Sequence, residues 1–182
     1  MKMSPESMAQ RGTQPLVVAT AYDFPFARIL QEAGVDVILV GDSLANVVLG
    51  LPSTRDIGMD EMAVFVAAVV RGAPDTHVTA DMPFGSDAVP EAAVRHARRF
   101  IDSGAASVKL EGTKLEVIRA LVAAGIPVMG HLGVLPQTAI SFKRVGKSAE
   151  SQKQLKADAH ALQDIEGESP CLFRVLTRGS IP

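Results

Sequence analysis

The chain has 182 residues, 47% of them apolar, and a mean hydropathy of +0.21, which excludes a disordered polymer and predicts one compact domain with its own core. Its 18 Lys and Arg against 20 Asp and Glu leave a formal charge of -2 with no concentrated basic face, and no Trp and one Tyr leave few rings for bases to stack on, so nucleic acid is excluded as a partner. The lone Cys171 can close no internal disulfide, the start MKMSPESMAQRGTQP lacks the apolar segment of a secretory signal, and the longest apolar run, Ala63 to Val70, is too short for a bilayer. A cytoplasmic protein with no membrane partner is the expectation.

After an N-terminal extension, residues 1–15, short β-branched runs alternate with longer amphipathic segments. The strand candidates are Leu16 to Tyr22, Val35 to Val40, His77 to Ala80, Ser107 to Leu110 and Val128 to Gly130. Between them, Phe26 to Ala33, Met59 to Arg71, Glu91 to Ser103, Lys114 to Ala124 and Glu150 to Gln163 carry apolar residues at helical spacing. Gly34, Gly104 and Gly125 follow three of these helices, where a left-handed residue ends a helix before the next strand. A sixth strand is placed at Leu172 to Leu176, after the loop-like IEGESP and with Arg174 in its middle.

Parallel strands covered on both faces are expected to be almost continuously apolar, as VDVILV is. TAYDFPFA after the first strand is not the Gly-rich loop of a doubly wound dinucleotide fold. The predicted class is therefore α/β, a (β/α)8 TIM barrel, incomplete over residues 16–182 with five to six of its eight units; a full barrel typically needs about 250 residues.

Active sites of such barrels lie at the C-terminal ends of the strands, and there this sequence places Asp42, Asp81, Lys109, Glu111 and His131. Asp42 and Asp81 facing one another would repel unless a divalent cation such as Mg²⁺ lay between them; alternatively, each caps the helix that follows. Lys109, inside the apolar SVKLEG, needs an anion: a substrate carboxylate, or Glu111 two residues on along the same face. His131, in GHLG, is either a proton-handling group at the mouth or a satisfied polar residue. For His77, His96 and His160 a solvent-facing or capping role is expected.

Four ordered blocks carry a family likeness: TAYDFPFARILQEAGVDVILVGDSLANVVLG, ADMPFGS, VKLEG and PVMGHLGVLPQ, spanning Thr20 to Gln137. Together they resemble the ketopantoate hydroxymethyltransferase family. The resemblance implies that Asp42 and Asp81 bind Mg²⁺ and that Glu111 contacts it through water. It further implies that Ser43 and Lys109 hold 3-methyl-2-oxobutanoate and that His131 lines the same pocket. The implied reaction moves a hydroxymethyl group from 5,10-methylenetetrahydrofolate to C3 of that 2-oxo acid, giving 2-dehydropantoate for pantothenate biosynthesis. The implied assembly is a homo-oligomer.

The chain departs from the family after about residue 137. TAISFKRVGKSAESQ keeps only Lys143, Val145 and Gly146 of the family's following stretch. The family's general base, a glutamate at the end of the sixth strand, falls at Leu176 or Thr177, neither of which can take a proton from carbon, and Glu166 and Glu168 do not match its motif. No seventh or eighth unit is recognisable before Pro182, so unpaired strand edges are expected, as from a truncated or frameshifted gene. Three functional readings follow: the Mg²⁺-assisted hydroxymethyltransferase, a related barrel lyase or mutase acting on phosphoenolpyruvate or oxo acids, and a catalytically impaired protein that keeps the oxo-acid and metal site.

Overall fold

The computed structural model describes residues 2–10, 14–138 and 145–166 and the strand at 172–176; Lys143, Glu168, Cys171 and Thr177 lie outside these. Six strands, β1 (Val18–Thr20), β2 (Val37–Val40), β3 (His77–Asp81), β4 (Ser107–Glu111), β5 (Val128–Leu132) and β6 (Leu172–Leu176), form one parallel sheet in chain order. The helices are α1 (Pro5–Gln10), α2 (Phe24–Glu32), α3 (Leu44–Val47), α4 (Met59–Gly72), α5 (Pro90–Asp102), α6 (Leu115–Ala123) and α7 (Ala149–Glu166), with a 3-10 turn at Thr54–Asp56. Among the described residues no helix is long and apolar enough to cross a membrane.

Every strand and helix of the sequence reading is present, with ends shifted by a few residues. Three of the shifts matter: β3, β4 and β5 run on to include Asp81, Glu111 and His131, so these side chains are fixed by the strand ladder rather than by loops. Besides the 3-10 turn, two α-helices were not anticipated. Helix α3 follows the GDS turn, and α1 occupies the N-terminal extension, where Met8 is buried with Met3 alongside against Val37 and Met129.

Side chains alternate across a strand, so each strand has an inner and an outer face. On the outer face Ile38, Val40, Val78, Ala80, Val108 and Leu110 pack under the helices against Met62, Val66, Phe100 and Ile118. The inner face of β3 and β4 is polar: His77, Thr79 and Asp81 stand beside Ser107, Lys109 and Glu111, all buried. This departs from the continuously apolar strands expected. HVTAD and SVKLE alternate because their inward residues build a polar column rather than a greasy barrel core.

At the foot of that column His77 Nε2 and Thr79 Oγ1 each meet Ser107 Oγ at 2.8 Å, and His77 Nδ1 meets the Met3 carbonyl oxygen at 2.8 Å. His77 is therefore fully buried, not solvent-facing as expected, and burial lowers the pKa of its imidazole, only partly offset by the Met3 carbonyl. His96 ties α5 to the preceding loop through the Ser86 carbonyl oxygen at 2.7 Å, while His160 is exposed on α7.

Neighbouring helices pack in chain order, α2 on α4, α4 on α5, α5 on α6 and α6 on α7. Gly34, Gly104 and Gly125 have φ of 76°, 99° and 72°, the left-handed caps expected of them. Gly72 matters for a different reason. A Cβ there would lie 2.3 Å from the Phe24 carbonyl oxygen and 2.9 Å from Ala27 Cβ, so its missing side chain is what lets α4 meet α2. Although alanine favours a helix over glycine by about 1 kcal/mol, we expect Gly72→Ala to lower unfolding free energy by about 1–3 kcal/mol through overpacking. Urea denaturation checks this, and an unchanged or higher midpoint would show that the contact is not tight.

Candidate functional site

The β3–β4 register pairs Asp81 with Lys109, and the β4–β5 register pairs Glu111 with His131. All four project from the inner face at the C-terminal end of the sheet, where Asp42 joins them from the turn after β2. They are almost completely buried, between 2% and 7% exposed, as is Gln137 at 3%. The sequence thus identified a cluster that the fold brings together.

Lys109 Nζ donates to both carboxylate oxygens of Asp81 at 2.7 Å. Its partner is Asp81 on the adjacent strand and not Glu111 on its own strand, because paired residues of parallel neighbours lie closer than i and i+2. Burial would lower the pKa of the ammonium, but the Asp81 charge and hydrogen bonds, with Asp42 and Glu111 behind, outweigh it and raise that pKa. Asp81 Oδ2 also accepts from the Asp42 backbone N–H at 3.3 Å. Neither aspartate caps a helix: the residue before α3 is Ser43, with no side-chain cap bond, and the residue before α5 is Val89.

Asp42 is the electrostatically strained member. Burial first, then the neighbouring Asp81 charge, raises its carboxyl to about 7, against the opposing hydrogen bond from Gln137 and the charge of Lys109. Glu111 Oε2 accepts from the Gln137 backbone N–H at 3.0 Å, while Oε1, 3.6 Å from His131 Nδ1, is buried without a hydrogen-bond partner among the described residues. Ser43 Oγ lies 2.9 Å from the Tyr22 hydroxyl, so the first strand's loop also reaches the mouth.

Two residues of the site were not singled out from sequence. Gln137 closes the PVMGHLGVLPQ block, and Tyr22, the single tyrosine, ends the first strand's apolar run in TAYD. Their signal was position at a strand mouth, without a charge to draw attention.

An all-oxygen donor set of two adjacent carboxylates suits a hard divalent cation, and the raised Asp42 carboxyl and Glu111 Oε1, which has no hydrogen bond among the described residues, are sites such an ion would relieve. Among the described residues no three His, Cys, Asp or Glu side chains converge as a metal cage. The fit is to an ion held by the Asp42–Asp81 pair that keeps water and substrate oxygens, the habit of Mg²⁺.

The sequence matches the model of the ketopantoate hydroxymethyltransferase family over residues 3–168. The chain belongs to that family. It is 50% identical over 161 residues to the 3-methyl-2-oxobutanoate hydroxymethyltransferase of Pyrobaculum arsenaticum, covering 85% of this chain and 61% of that protein. It is also 50% identical over 165 residues to that of Heliobacterium modesticaldum, covering 87% and 59%. This family member therefore spans about three fifths of the length of the curated relatives it matches. Among solved structures, a phosphonopyruvate hydrolase in complex with oxalate and Mg²⁺ superposes with a TM-score of 0.71 at 12% identity, covering 97% of this chain and 64% of that one. The 2,3-dimethylmalate lyase of the PEP mutase/isocitrate lyase superfamily gives 0.60 at 20% identity, covering 90% and 59%. At such identities the likeness speaks for the fold alone, which is the barrel class expected.

The Asp42 carboxyl gives the site a pH signature. Its folded-state pKa lies above the ordinary 3.8, so without a cation its contribution to stability falls as pH rises from 3.8 through about 7. A cation held there would compete with that proton, so its binding would strengthen as pH rises over the same window. We expect the rise in melting temperature produced by Mg²⁺ to be larger at pH 8 than at pH 6, and the pH dependence to disappear in Asp42→Asn. An equal Mg²⁺ effect at both pH values would count against Asp42 as a ligand.

Proposed function

We propose that this chain binds a divalent cation, Mg²⁺, together with 3-methyl-2-oxobutanoate at the Asp42–Asp81–Lys109 cluster. We further propose that it serves hydroxymethyl transfer to C3 of that 2-oxo acid, in which 5,10-methylenetetrahydrofolate supplies the one-carbon unit and leaves as tetrahydrofolate and water supplies the hydroxyl, giving 2-dehydropantoate. The observation that carries the reading is a buried ammonium beside two buried carboxylates at the mouth of a barrel whose relatives, at 50% identity, are named for this activity.

The cation, held by Asp42 and Asp81 with Glu111 nearby, would supply Lewis acidity toward the keto oxygen of the substrate. The chain's own groups do the rest. Lys109 offers its ammonium to the substrate carboxylate, a charge-assisted hydrogen bond that fixes the acid's orientation. Ser43 Oγ, set by the Tyr22 hydroxyl, supplies a further donor at the mouth. His131, buried beside Glu111, lines the inner wall and keeps the pocket polar where charge develops. C3 must lose its proton to a base before it bonds to the one-carbon unit. The homo-oligomeric state of relatives, expected from the resemblance, belongs to the same proposal.

A second reading rests on one residue. The end of β6, opposite Leu132, is Leu176, and the resemblance places the family's glutamate base at Leu176 or Thr177. On this reading the chain binds cation and oxo acid without turning them over. The experiment follows the C3 proton of 3-methyl-2-oxobutanoate by NMR in D₂O with protein and Mg²⁺. We expect Mg²⁺-dependent loss of the C3–H signal well above the protein-free rate. Binding of Mg²⁺ and oxo acid with no exchange would favour the second reading, and absence of both would overturn the two together.

A further inference from the structure

Gln137 makes contacts that its place in a loop after β5 does not require. Its side-chain Nε2 donates to Asp42 Oδ2 at 2.8 Å and to the Met82 carbonyl oxygen at 2.9 Å, and its backbone N–H donates to Glu111 Oε2 at 3.0 Å. Both partners of the side chain are acceptors, so the amide NH₂ must face them and the orientation of the amide is fixed by chemistry. One residue thus joins the turn after β2, the end of β3 and the end of β4, three of the segments that deliver the carboxylates.

We propose that Gln137 is a positioning residue for the cation site: its amide commits Asp42 Oδ2, presents Oδ1 to the ion, and its backbone N–H holds the Glu111 carboxylate at the rim. The inference rests on the metal reading proposed above and adds a residue to it. The physical reason is general. A ligating carboxylate with one oxygen anchored loses little conformational freedom on binding an ion, and loss of such outer partners typically weakens metal affinity about 10–100-fold. Leu or Met at this position would fill similar space, but neither could orient Asp42 nor satisfy the Met82 carbonyl.

The test is direct measurement of Mn²⁺ binding by electron paramagnetic resonance, with Mg²⁺ as competitor, on the full chain well below its melting temperature. Gln137→Met keeps the side chain's length while removing the donor; Gln137→Asn keeps the amide but is one methylene too short to reach Asp42. Both are expected to weaken Mn²⁺ and Mg²⁺ at least tenfold while a folded circular dichroism spectrum is retained, and either variant that folds suffices. A merely structural latch would lower the melting temperature and leave the affinity of the folded protein unchanged, which would overturn the proposal. If the parent chain binds neither ion, the metal reading itself fails; if the parent binds and the variants bind equally well, only the role of Gln137 does.

Discussion

Asp81 and Lys109 meet inside the barrel because the β3–β4 register places them side by side on the inner face, each with almost no access to water. A buried ammonium or carboxylate alone is costly to hold, and removing one partner of such a pair typically costs about 3–5 kcal/mol. The rest of the site is arranged around that requirement. Asp42 leans on Asp81 through its backbone N–H, Gln137 ties Asp42 to the end of β3, and Glu111 follows Lys109 by two residues on the same strand face. Among the described residues Asp42, Asp81 and Glu111 surround Lys109, and burial first, then the Asp81 charge, raises the Asp42 carboxyl.

The polar column below the site explains how such a cluster can be buried at all. His77, Ser107 and Thr79 satisfy one another at the foot of the inner face, where Met8 of α1 packs on Val37 and Met129 and the Met3 carbonyl, just before α1, meets His77. Each layer therefore hands the next a fixed strand register, and the outer face, apolar and covered by α4 to α7, keeps that register from slipping. A shift of one residue would turn Asp81 and Lys109 outward under the helices, where no partner waits.

Much of this was legible from the residues. The alternation of short strands with amphipathic helices, and the polar residues in or closing each apolar run, locate Asp42, Asp81, Lys109, Glu111 and His131 from the sequence. What was not legible has identifiable physical causes. The partner of Lys109 depends on inter-strand register, which no spacing within SVKLEG encodes. His77, at a strand start, reads as solvent-facing or capping because one of its partners, the Met3 carbonyl, comes from a segment 74 residues away. Gln137 is uncharged and sits in a loop, so only its three contacts, to positions 26, 55 and 95 residues away, reveal its place. Helix α3 is a single turn, too short for any periodicity to register.

The proposal that the Asp42–Asp81 pair holds a divalent cation while Lys109 takes the carboxylate of a 2-oxo acid can be checked in a crystal structure of the chain grown with Mg²⁺ and 3-methyl-2-oxobutanoate. Cation density in contact with the carboxylates of both aspartates, and the oxo-acid carboxylate within hydrogen-bonding distance of Lys109 Nζ, are expected. Cation density away from both aspartates, or an oxo acid bound out of reach of Lys109, would contradict it.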